Sequence, residues 1–345
     1  MNGCATIILL MNISIIVFAR YDLPMDFSDM VVYARPGYSL IKFLIVFFSF
    51  MGDAVQLSKL DVHENEDLKH NCGKARHQWL SSSYSISAGS AAKIGQFPWA
   101  VAITKINQEH NNHCGGTIIS KRHILTAAHC MMKYESDKLP CKLAKTMDDI
   151  FQIAVRYGGV CLRSHSPPCD GRLCMTARIH KIAVHRKFLD GRCIEGYDFA
   201  IVEMEDDLVF GTATSAICLP NPTFLLDSAE NLFDYGFGQN EYGESMSRLN
   251  YGSAKIIGVS MQKDYIRVGP IYTRKNKTIH NGICSGDSGG GLQGFFEQRA
   301  FLLGIHSLGP EICHDGSPFV VTDTRPYAQL ICNLTGICYH LTSFI

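Results

Sequence analysis

Three short segments of the 345-residue chain carry residue types that can perform acyl transfer. His129 stands in the hexapeptide LTAAHC, Ser288 in the heptapeptide CSGDSGG, and Asp198 between them at the head of the apolar run DFAIV. A serine hydroxyl becomes a good nucleophile when a neutral imidazole accepts its proton, and a buried carboxylate holds that imidazole in the required tautomer. The order His, Asp, Ser along a chain is one of the few in which such a triad occurs.

Each segment also has an interpretation without chemistry. The histidine could be an ordinary strand-end residue beside a structural cystine, the glycine-rich serine segment could be a turn, and the aspartate could cap a strand. The three segments occur together in the order His, Asp, Ser and have flanking cysteines, and this combination favours the catalytic interpretation.

Together the three segments resemble the chymotrypsin/trypsin (S1) family of serine endopeptidases, over about residues 86–332. The resemblance implies that His129 is the general base, Asp198 its orienting partner and Ser288 the nucleophile that forms an acyl-enzyme. It implies a protein or peptide substrate, and neither a cofactor nor a metal ion.

The resemblance also assigns the groups that support the triad. The glycines around Ser288 let the backbone turn so that the N–H groups of Gly286 and Ser288 can point at one oxyanion. Ser307, in the segment GIHSLG, matches the family serine that hydrogen-bonds the triad aspartate.

The elements that must position these residues are predicted to be β-strands. Short apolar or alternating runs recur between Gly, Asn, Asp and Pro, and helical periodicity is scarce, so the pattern predicts an all-β barrel or sandwich. The clearest runs are residues 99–103, 116–120, 151–157, 179–185, 199–204 and 301–305. The resemblance narrows this to a double six-stranded antiparallel β-barrel, with His129 and Asp198 on the first barrel and Ser288 on the second. A short C-terminal helix is predicted near residues 327–331.

Composition indicates a secreted globular protein. An apolar content of 46% supports a large core, and 32 Lys and Arg balance 32 Asp and Glu, which argues against a nucleic-acid partner. The 14 cysteines are scattered rather than set in C-x-x-C pairs, which suits an oxidising compartment better than zinc binding. Asn276 and Asn333 head sequons and are predicted glycosylation sites.

Two apolar stretches near the N-terminus are shorter than the roughly 18–20 residues that cross a bilayer. The second, residues 43–51, is followed by Gly-Asp-Ala, so residues 1–54 are predicted to be a leader with a signal peptide, and no stable membrane association is expected. An uncleaved signal anchor in the membrane is the alternative. The first ~30 residues receive no role. Residues 55–85, polar and acidic, are predicted to be a pro-segment that buries little, and residues 86–345 the peptidase domain.

The resemblance implies three disulfide bonds, Cys114–Cys130, Cys284–Cys313 and Cys72–Cys218. The last would tether the pro-segment to the peptidase domain after cleavage. Cys332 and Cys338 could close a small C-terminal ring. The pairing of the others stays open, with a free thiol or an intermolecular link among the possibilities; they are Cys141, Cys161, Cys169, Cys174 and Cys193.

The resemblance predicts a zymogen. Ile86 lies at the spacing where the family places its new N-terminus, whose ammonium pairs with the aspartate before the nucleophile, here Asp287. Ile86 follows Ser85 rather than a basic residue, so the activating protease is predicted to have a specificity other than that of trypsin. An activating protease and a protein inhibitor are therefore the expected partners besides substrate.

The specificity pocket departs from that of trypsin-like enzymes. By alignment its base is Gly282, with Ile283 beside it, where those enzymes carry an aspartate, so a buried Arg or Lys would lack a counter-charge. Gly309 keeps one wall open, and Phe319 is expected to make the pocket shallow. The sequence therefore predicts small or medium apolar P1 side chains.

The predicted function is that of a secreted serine endopeptidase. The alternative is a catalytically silent S1-fold protein that binds or regulates partners, to which the occluded pocket and the unusual activation site would be suited. The sequence keeps His129, Asp198 and Ser288, which favours the enzyme.

Overall fold

The computed structural model describes residues 30–34, 56–75, 90–106, 108–132, 152–163, 169, 171–190, 196–240, 243–260, 264–270, 284–309 and 318–338. Several predicted positions lie outside these residues, namely Ile86, Cys141, Cys193, Asn276, Gly282, Ile283 and Cys313. The signal-peptide stretch, residues 43–51, lies outside them as well.

Strands dominate the described part of the chain. In chain order they are β1 (Met30–Ala34), β2 (Ser90–Ala91), β3 (Ala100–Lys105), β4 (Gln108–Ile118), β5 (His123–Thr126), β6 (Ile153–Tyr157), β7 (Met175–His185), β8 (Ala200–Met204), β9 (Glu230–Gly236), β10 (Asn250–Ser260), β11 (Tyr265–Pro270), β12 (Gly291–Phe296), β13 (Arg299–Leu308) and β14 (Phe319–Asp323). Four short helices accompany them, α1 (Val62–Asn71), α2 (Ala128–Met131), α3 (Arg186–Asp190) and α4 (Ala328–Thr335).

The strands form two closed antiparallel barrels. In the first sheet the order is β1-β7-β6-β3-β4-β5-β8, and β7 also pairs with β8, which closes a ring of six strands and leaves β1 on the outer edge of β7. In the second the order is β11-β14-β13-β12-β9-β10-β2, and β11 pairs with β10, which closes six strands with β2 attached to β10. The prediction of a double six-stranded barrel with a short C-terminal helix is confirmed.

The two barrels meet along a buried seam. The indole of Trp99 is fully buried, and its Nε1–H donates to Gln293 Oε1 at 2.8 Å. Close by, the hydroxyls of Thr117 and Tyr235 lie 2.9 Å apart, and the Phe97 and Tyr235 rings are 5.0 Å apart. Contacts between Trp99 and Thr117 of the first half and Gln293 and Tyr235 of the second therefore set how the barrels face each other.

Residues 56–75 pack against both barrels, which corrects the expectation that this segment buries little. Helix α1 begins with a capping box, because Glu64 N–H donates to Asp61 and Asp61 N–H donates to the Glu64 carboxylate. Three leucines of the segment point into the core, Leu57, Leu60 and Leu68. Burial of these apolar side chains stabilises the packing of the segment. The polar and acidic composition of the segment did not indicate it.

Polar contacts hold the same segment at three places. Ser58 N–H and its hydroxyl donate to the buried carboxylate of Glu203 in the first barrel, at 2.5 and 3.1 Å. Cys72 is bonded to Cys218, and its carbonyl accepts from Arg299 of the second barrel. At the C-terminal helix, Leu60 N–H donates to the carbonyl of Thr335 at 2.7 Å.

Strand β1 lies within the stretch that the sequence assigns to a leader. It pairs with β7 from Met30 opposite His185 to Ala34 opposite Lys181, and the side chains of Met30 and Tyr33 are buried. Residues 30–34, which the sequence analysis assigned to a leader, are thus paired with the first barrel in the structure. Among the described residues, no helix combines the length and the apolar character that crossing a bilayer requires.

The described cysteines include four disulfide bonds, Cys72–Cys218, Cys114–Cys130, Cys161–Cys169 and Cys332–Cys338. Cys284 is also disulfide-bonded, and its implied partner lies outside the described residues. Cys174 is a buried free thiol, and burial raises its pKa to about 12, so it stays protonated and unreactive.

Candidate active site

His129 and Asp198 are brought together by strand pairing. Strand β5 leads into α2, which carries His129, and β8 begins two residues after Asp198. Because Thr126 of β5 lies opposite Ala200 of β8, the two loops start side by side. The His129 Nδ1–H donates to Asp198 Oδ2 at 2.7 Å, and the His129 backbone N–H donates to Asp198 Oδ1 at 3.0 Å.

The second barrel also holds Asp198. The Ser307 hydroxyl on β13 donates to Asp198 Oδ2 at 2.6 Å, as the resemblance implies. Thr322 on β14 was not singled out from the sequence, and its hydroxyl donates to the Asp198 carbonyl at 3.0 Å. Asp198 is 3% exposed, so its carboxylate has little access to water and depends on these protein donors.

The electrostatics of the pair favour an ionised aspartate. Burial alone would raise the pKa of Asp198, but the charge of His129 and the hydrogen bonds from His129 and Ser307 lower it. Burial would lower the pKa of His129, and the charge and hydrogen bond of Asp198 outweigh this and raise it. Since Nδ1 carries the proton given to the carboxylate, Nε2 of neutral His129 is the nitrogen that can accept another proton.

Ser288 lies on a glycine-rich loop that contacts the first barrel. Its carbonyl accepts a hydrogen bond from Gly115 N–H at 2.7 Å. Gly289 has φ of +80°, and a Cβ there would lie 2.2 Å from Thr126 Oγ1 and 3.0 Å from Ala127 N. Only glycine permits this approach, which places the loop against the residues that precede the His129 helix.

The Ser288 hydroxyl and the His129 imidazole are not hydrogen-bonded within the described part of the chain. The Nε2 atom of His129 lies 3.7 Å from the disulfide sulfur of Cys130. In proteins without bound substrate, nucleophile–base hydrogen bonds are often long and shorten when substrate binds.

The backbone around Ser288 orients two N–H groups. Ser285 C=O accepts from Gln239 N–H at 2.8 Å, and Asp287 C=O accepts from Gly290 N–H at 2.9 Å. A trans peptide directs its N–H opposite to its C=O, so these bonds turn the N–H groups of Gly286 and Ser288 to the other side of the loop. Among the described residues, neither N–H donates to a protein acceptor.

Cys114, His129 and Cys130 offer sulfur and nitrogen atoms within 4.8 Å of one another, a spacing that a metal ion could bridge. The two cysteines are joined as a disulfide and have no thiolate to offer. This cluster therefore does not fit a metal.

Comparison with known proteins agrees with the geometry. A family model described as Trypsin matches residues 174–331, and one described as Nematode trypsin-6-like family matches residues 41–153. The chain belongs to the trypsin-like S1 serine proteases.

Individual members of this family align with most of the chain. CLIP domain-containing serine protease B4 of Anopheles gambiae is 29% identical over 76% of this chain and 71% of that protein. Serine protease grass of Drosophila melanogaster is 28% identical over 77% of this chain and 70% of that protein. Transmembrane protease serine 11A of Homo sapiens is 28% identical over 73% of this chain and only 56% of that protein.

In this trypsin-like chain the carboxyl group of Asp287 is enclosed by backbone. Its oxygens accept from Gly238 N–H at 2.7 Å and Cys284 N–H at 3.1 Å, and burial raises its pKa to about 6. Burial, together with the charge of Asp287, raises the pKa of Asp234 to about 8. The described residues place no cationic side chain on either carboxyl group. The surroundings of Asp287 are thus suited to an incoming cation.

His306 lies beneath the same loop and was not singled out from the sequence. It is 1% exposed, and its Nδ1–H donates to Asp287 C=O at 3.2 Å, which adds a second constraint to the peptide that carries Ser288 N–H. Burial lowers its pKa to about 4, so the ring is neutral at pH 7. The one signal in the sequence was a histidine inside the apolar run GIHSLG.

The part of the predicted pocket that the structure describes is closely packed. Phe319 is 1% exposed, and its ring meets the His306 ring edge-on, with centroids 5.7 Å apart. Gly309 is exposed, and the neighbouring Leu308 exposes 41% of its surface. Phe319 therefore presents no open face, while the base of the pocket lies outside the described residues.

Proposed function

We propose that this chain is a serine endopeptidase that hydrolyses peptide bonds through an acyl-enzyme on Ser288. The observation that carries the proposal is the Asp198–His129 hydrogen bond, which leaves Nε2 to accept a proton. The Cys130 sulfur lies 3.7 Å from Nε2 and 3.4 Å from the Ser288 carbonyl, so Nε2 is near the Ser288 loop. Membership of a serine protease family supports it.

The residues then act in a definite order. His129 Nε2 takes the Ser288 hydroxyl proton as Oγ attacks the scissile carbonyl carbon, and Asp198 stabilises the imidazolium that forms. The N–H groups of Gly286 and Ser288 donate to the oxyanion. The imidazolium gives its proton to the leaving amine, and water then hydrolyses the ester by the same route.

We further propose that the protein is a secreted zymogen that is cleaved between Ser85 and Ile86. The enclosed carboxyl of Asp287 supports this, because a new ammonium group would neutralise it. The Cys72–Cys218 bond and the packing of residues 56–75 would keep the upstream segment attached after cleavage. The sequon at Asn333, on a partly exposed turn of α4, is compatible with glycosylation.

For the substrate, we propose small or medium apolar P1 side chains. The close packing of Phe319 against His306 and the exposed Leu308 at the rim support a short, apolar subsite. A protein inhibitor and an activating protease are the proposed partners besides substrate.

A silent, partner-binding protein of the same fold is the second candidate. It is favoured by two observations, the missing hydrogen bond between the Ser288 hydroxyl and His129 in the described structure, and the filled space around Phe319.

Fluorophosphonate labelling separates the two candidates. The probe reacts with an activated serine whatever the P1 preference, so protein cleaved at Ile86 should be labelled and Ser288→Ala should not. Ser245→Ala, which alters an exposed serine of the second barrel, is the matched control and should label like the unaltered protein. Absence of labelling after cleavage has been verified by N-terminal sequencing would instead support the silent protein.

A further inference from the structure

The chain reaches Asp198 through an unusual turn. Tyr197, which precedes it, has φ of +60°, a left-handed conformation that non-glycine residues adopt rarely. The Tyr197 carbonyl accepts from Phe199 N–H at 2.8 Å, so the turn closes around Asp198 itself. Any change in the Tyr197 backbone would therefore redirect the Asp198 side chain.

Asp264 holds this turn from the second barrel. Its carboxylate accepts the Tyr197 backbone N–H, with Oδ2 at 3.1 Å and Oδ1 at 3.4 Å. The same carboxylate accepts a short hydrogen bond from the Tyr327 hydroxyl, just before α4. Asp264 is itself fixed, because its carbonyl accepts from Asp323 N–H at 2.7 Å.

Aromatic packing completes the enclosure. The Tyr197 ring stacks on His185 with centroids 4.7 Å apart, and the Tyr327 ring packs on Phe199 at 4.1 Å. The rings limit the access of water to the turn, so the Tyr197 N–H depends on Asp264 as its acceptor.

Asp264 lies among acidic and phenolic groups. Its pKa is raised to about 6, chiefly by burial and also by the charges of Asp323 and Asp198, and the hydrogen bonds from Tyr327 and Tyr197 oppose this rise. Burial of such a carboxyl group lowers the stability of the folded protein. This is expected of a group whose role is to position other residues rather than to stabilise the fold.

We propose that Asp264 is a positioning residue for the triad: by accepting the Tyr197 N–H, it holds the left-handed turn that aims the Asp198 carboxylate at His129. The inference rests on the proposed function for its catalytic consequence. Asp264 works together with Thr322, which holds the Asp198 carbonyl, so that the second barrel grips the backbone on both sides of the Asp198 Cα.

Two substitutions at position 264 test the role of the acceptor oxygen separately from the role of the backbone conformation. Asp264 has φ of +51°, which asparagine and glycine both tolerate. Asp264→Asn keeps one acceptor oxygen, whereas Asp264→Gly removes it without adding backbone strain. Asn231→Gly is the matched control, because Asn231 is an exposed residue of β9 in the second barrel and has a similar φ of +47°.

Two readouts are measured on the cleaved full-length protein. The first is the rate constant of inactivation by a fluorophosphonate, and the second is the low-field proton resonance of the His129 Nδ1–H···Asp198 bond together with its pH titration. We expect Asp264→Gly to slow inactivation by about 10–100-fold and to move the resonance. Asp264→Asn should stay within about 3-fold of the unaltered protein, since it retains an acceptor, and Asn231→Gly should change neither readout.

An unchanged rate and resonance in Asp264→Gly would overturn the proposal, even if that variant melts earlier. Should Asp264→Gly fail to fold, Tyr327→Phe removes the hydroxyl that fixes the carboxylate and should move both readouts in the same direction, and no movement would also overturn it. The resonance needs no turnover. If the unaltered protein resists labelling, the proposed function fails while the resonance still decides the role of Asp264.

Discussion

At the scale of single residues, the site depends on buried polar groups whose partners come from both barrels. Asp198 receives hydrogen bonds from His129 of its own barrel and from Ser307 and Thr322 of the other. Its carboxylate accepts from the His129 ring, the His129 backbone N–H and the Ser307 hydroxyl, whereas Thr322 holds the backbone carbonyl. Such hydrogen bonds favour the ionised carboxylate, which is the form that stabilises an imidazolium. Small side chains of the second barrel therefore help to set the charge state of Asp198, the partner of His129.

The raised pKa of His129 predicts a pH profile. Catalysis needs the neutral imidazole, so the fluorophosphonate inactivation rate should rise with pH and level off above an apparent pKa higher than the ordinary 6.5. Asp198→Asn should lower the rate by about 10⁴-fold and move that apparent pKa below 6.5, because burial then acts without the opposing charge. The control Asp227→Asn, at an exposed position, should keep the original profile. A rate independent of pH between 5 and 9 would contradict the assignment of His129 as the base.

At the scale of elements, helix α1 and the chain around it behave as part of the peptidase domain. Leu68 and Asn65 of α1 are buried, and Asn65 Nδ2–H donates to the Cys338 carbonyl at 3.0 Å. On the outer side, Glu64 pairs with Arg122 and Lys121 of the first barrel, which lowers the pKa of Glu64 to about 2. A polar helix is thus held by one buried leucine, the hydrogen bond of Asn65 and a few ion pairs.

The packing of α1 predicts a clear difference between two apolar positions. Leu68→Ala should lower the free energy of unfolding by about 2–5 kcal/mol, since it leaves a cavity between α1 and the barrels. Val62→Ala, on the same helix but 75% exposed, should change it by less than about 0.5 kcal/mol. Urea denaturation followed by circular dichroism measures both, and equal effects would mean that α1 is not docked in solution.

At the scale of the whole molecule, the two barrels share a tightly packed seam beside the candidate site. The hydrogen bond from Trp99 to Gln293 crosses that seam, and Tyr235 of the second barrel meets Thr117 of the first. The Ser288 loop and the His129 helix lie on opposite sides of this seam, so its packing sets their separation.

Gln293→Leu tests this coupling. The change leaves the buried indole N–H of Trp99 without its acceptor, which should cost about 1–3 kcal/mol of stability. Because the barrels then shift relative to each other, fluorophosphonate labelling should also slow, by about 10-fold or more. Gln329→Leu, on the exposed face of α4, is the control and should affect neither quantity. An unchanged free energy of unfolding in urea denaturation, or unchanged labelling, in Gln293→Leu would argue that the seam does not set the geometry of the site.

Local patterns in the sequence sufficed for a strand-rich barrel or sandwich and for the candidate triad residues, and the family resemblance narrowed the fold to a double barrel. Strand alternation and turn residues depend on neighbours along the chain, and the segments around His129, Asp198 and Ser288 each carry their chemistry within a few residues. The positions of Ser307 and of the Cys114–Cys130 bond followed from the family resemblance, and the structure contains both contacts.

Other features depend on residues distant in the chain, and the sequence did not reveal them. The Cys161–Cys169 bond, the docking of residues 56–75 and the pairing of β1 with β7 all arise from which surfaces meet after folding. The composition of residues 55–85 suggested an exposed segment, because its few leucines are buried only where the folded barrels provide a groove for them.

By itself, the sequence determined the order and identity of the reactive groups, the strand-rich architecture and the family to which they point. Only the tertiary structure decided that His306 and Phe319 pack together beside the Ser288 loop. It also decided that Thr322 donates a hydrogen bond to Asp198 and that Asp264 accepts one from Tyr197. The physical reason is that these contacts join residues far apart in the chain, the last two of them across the barrels, and such contacts have no periodic signature along the chain.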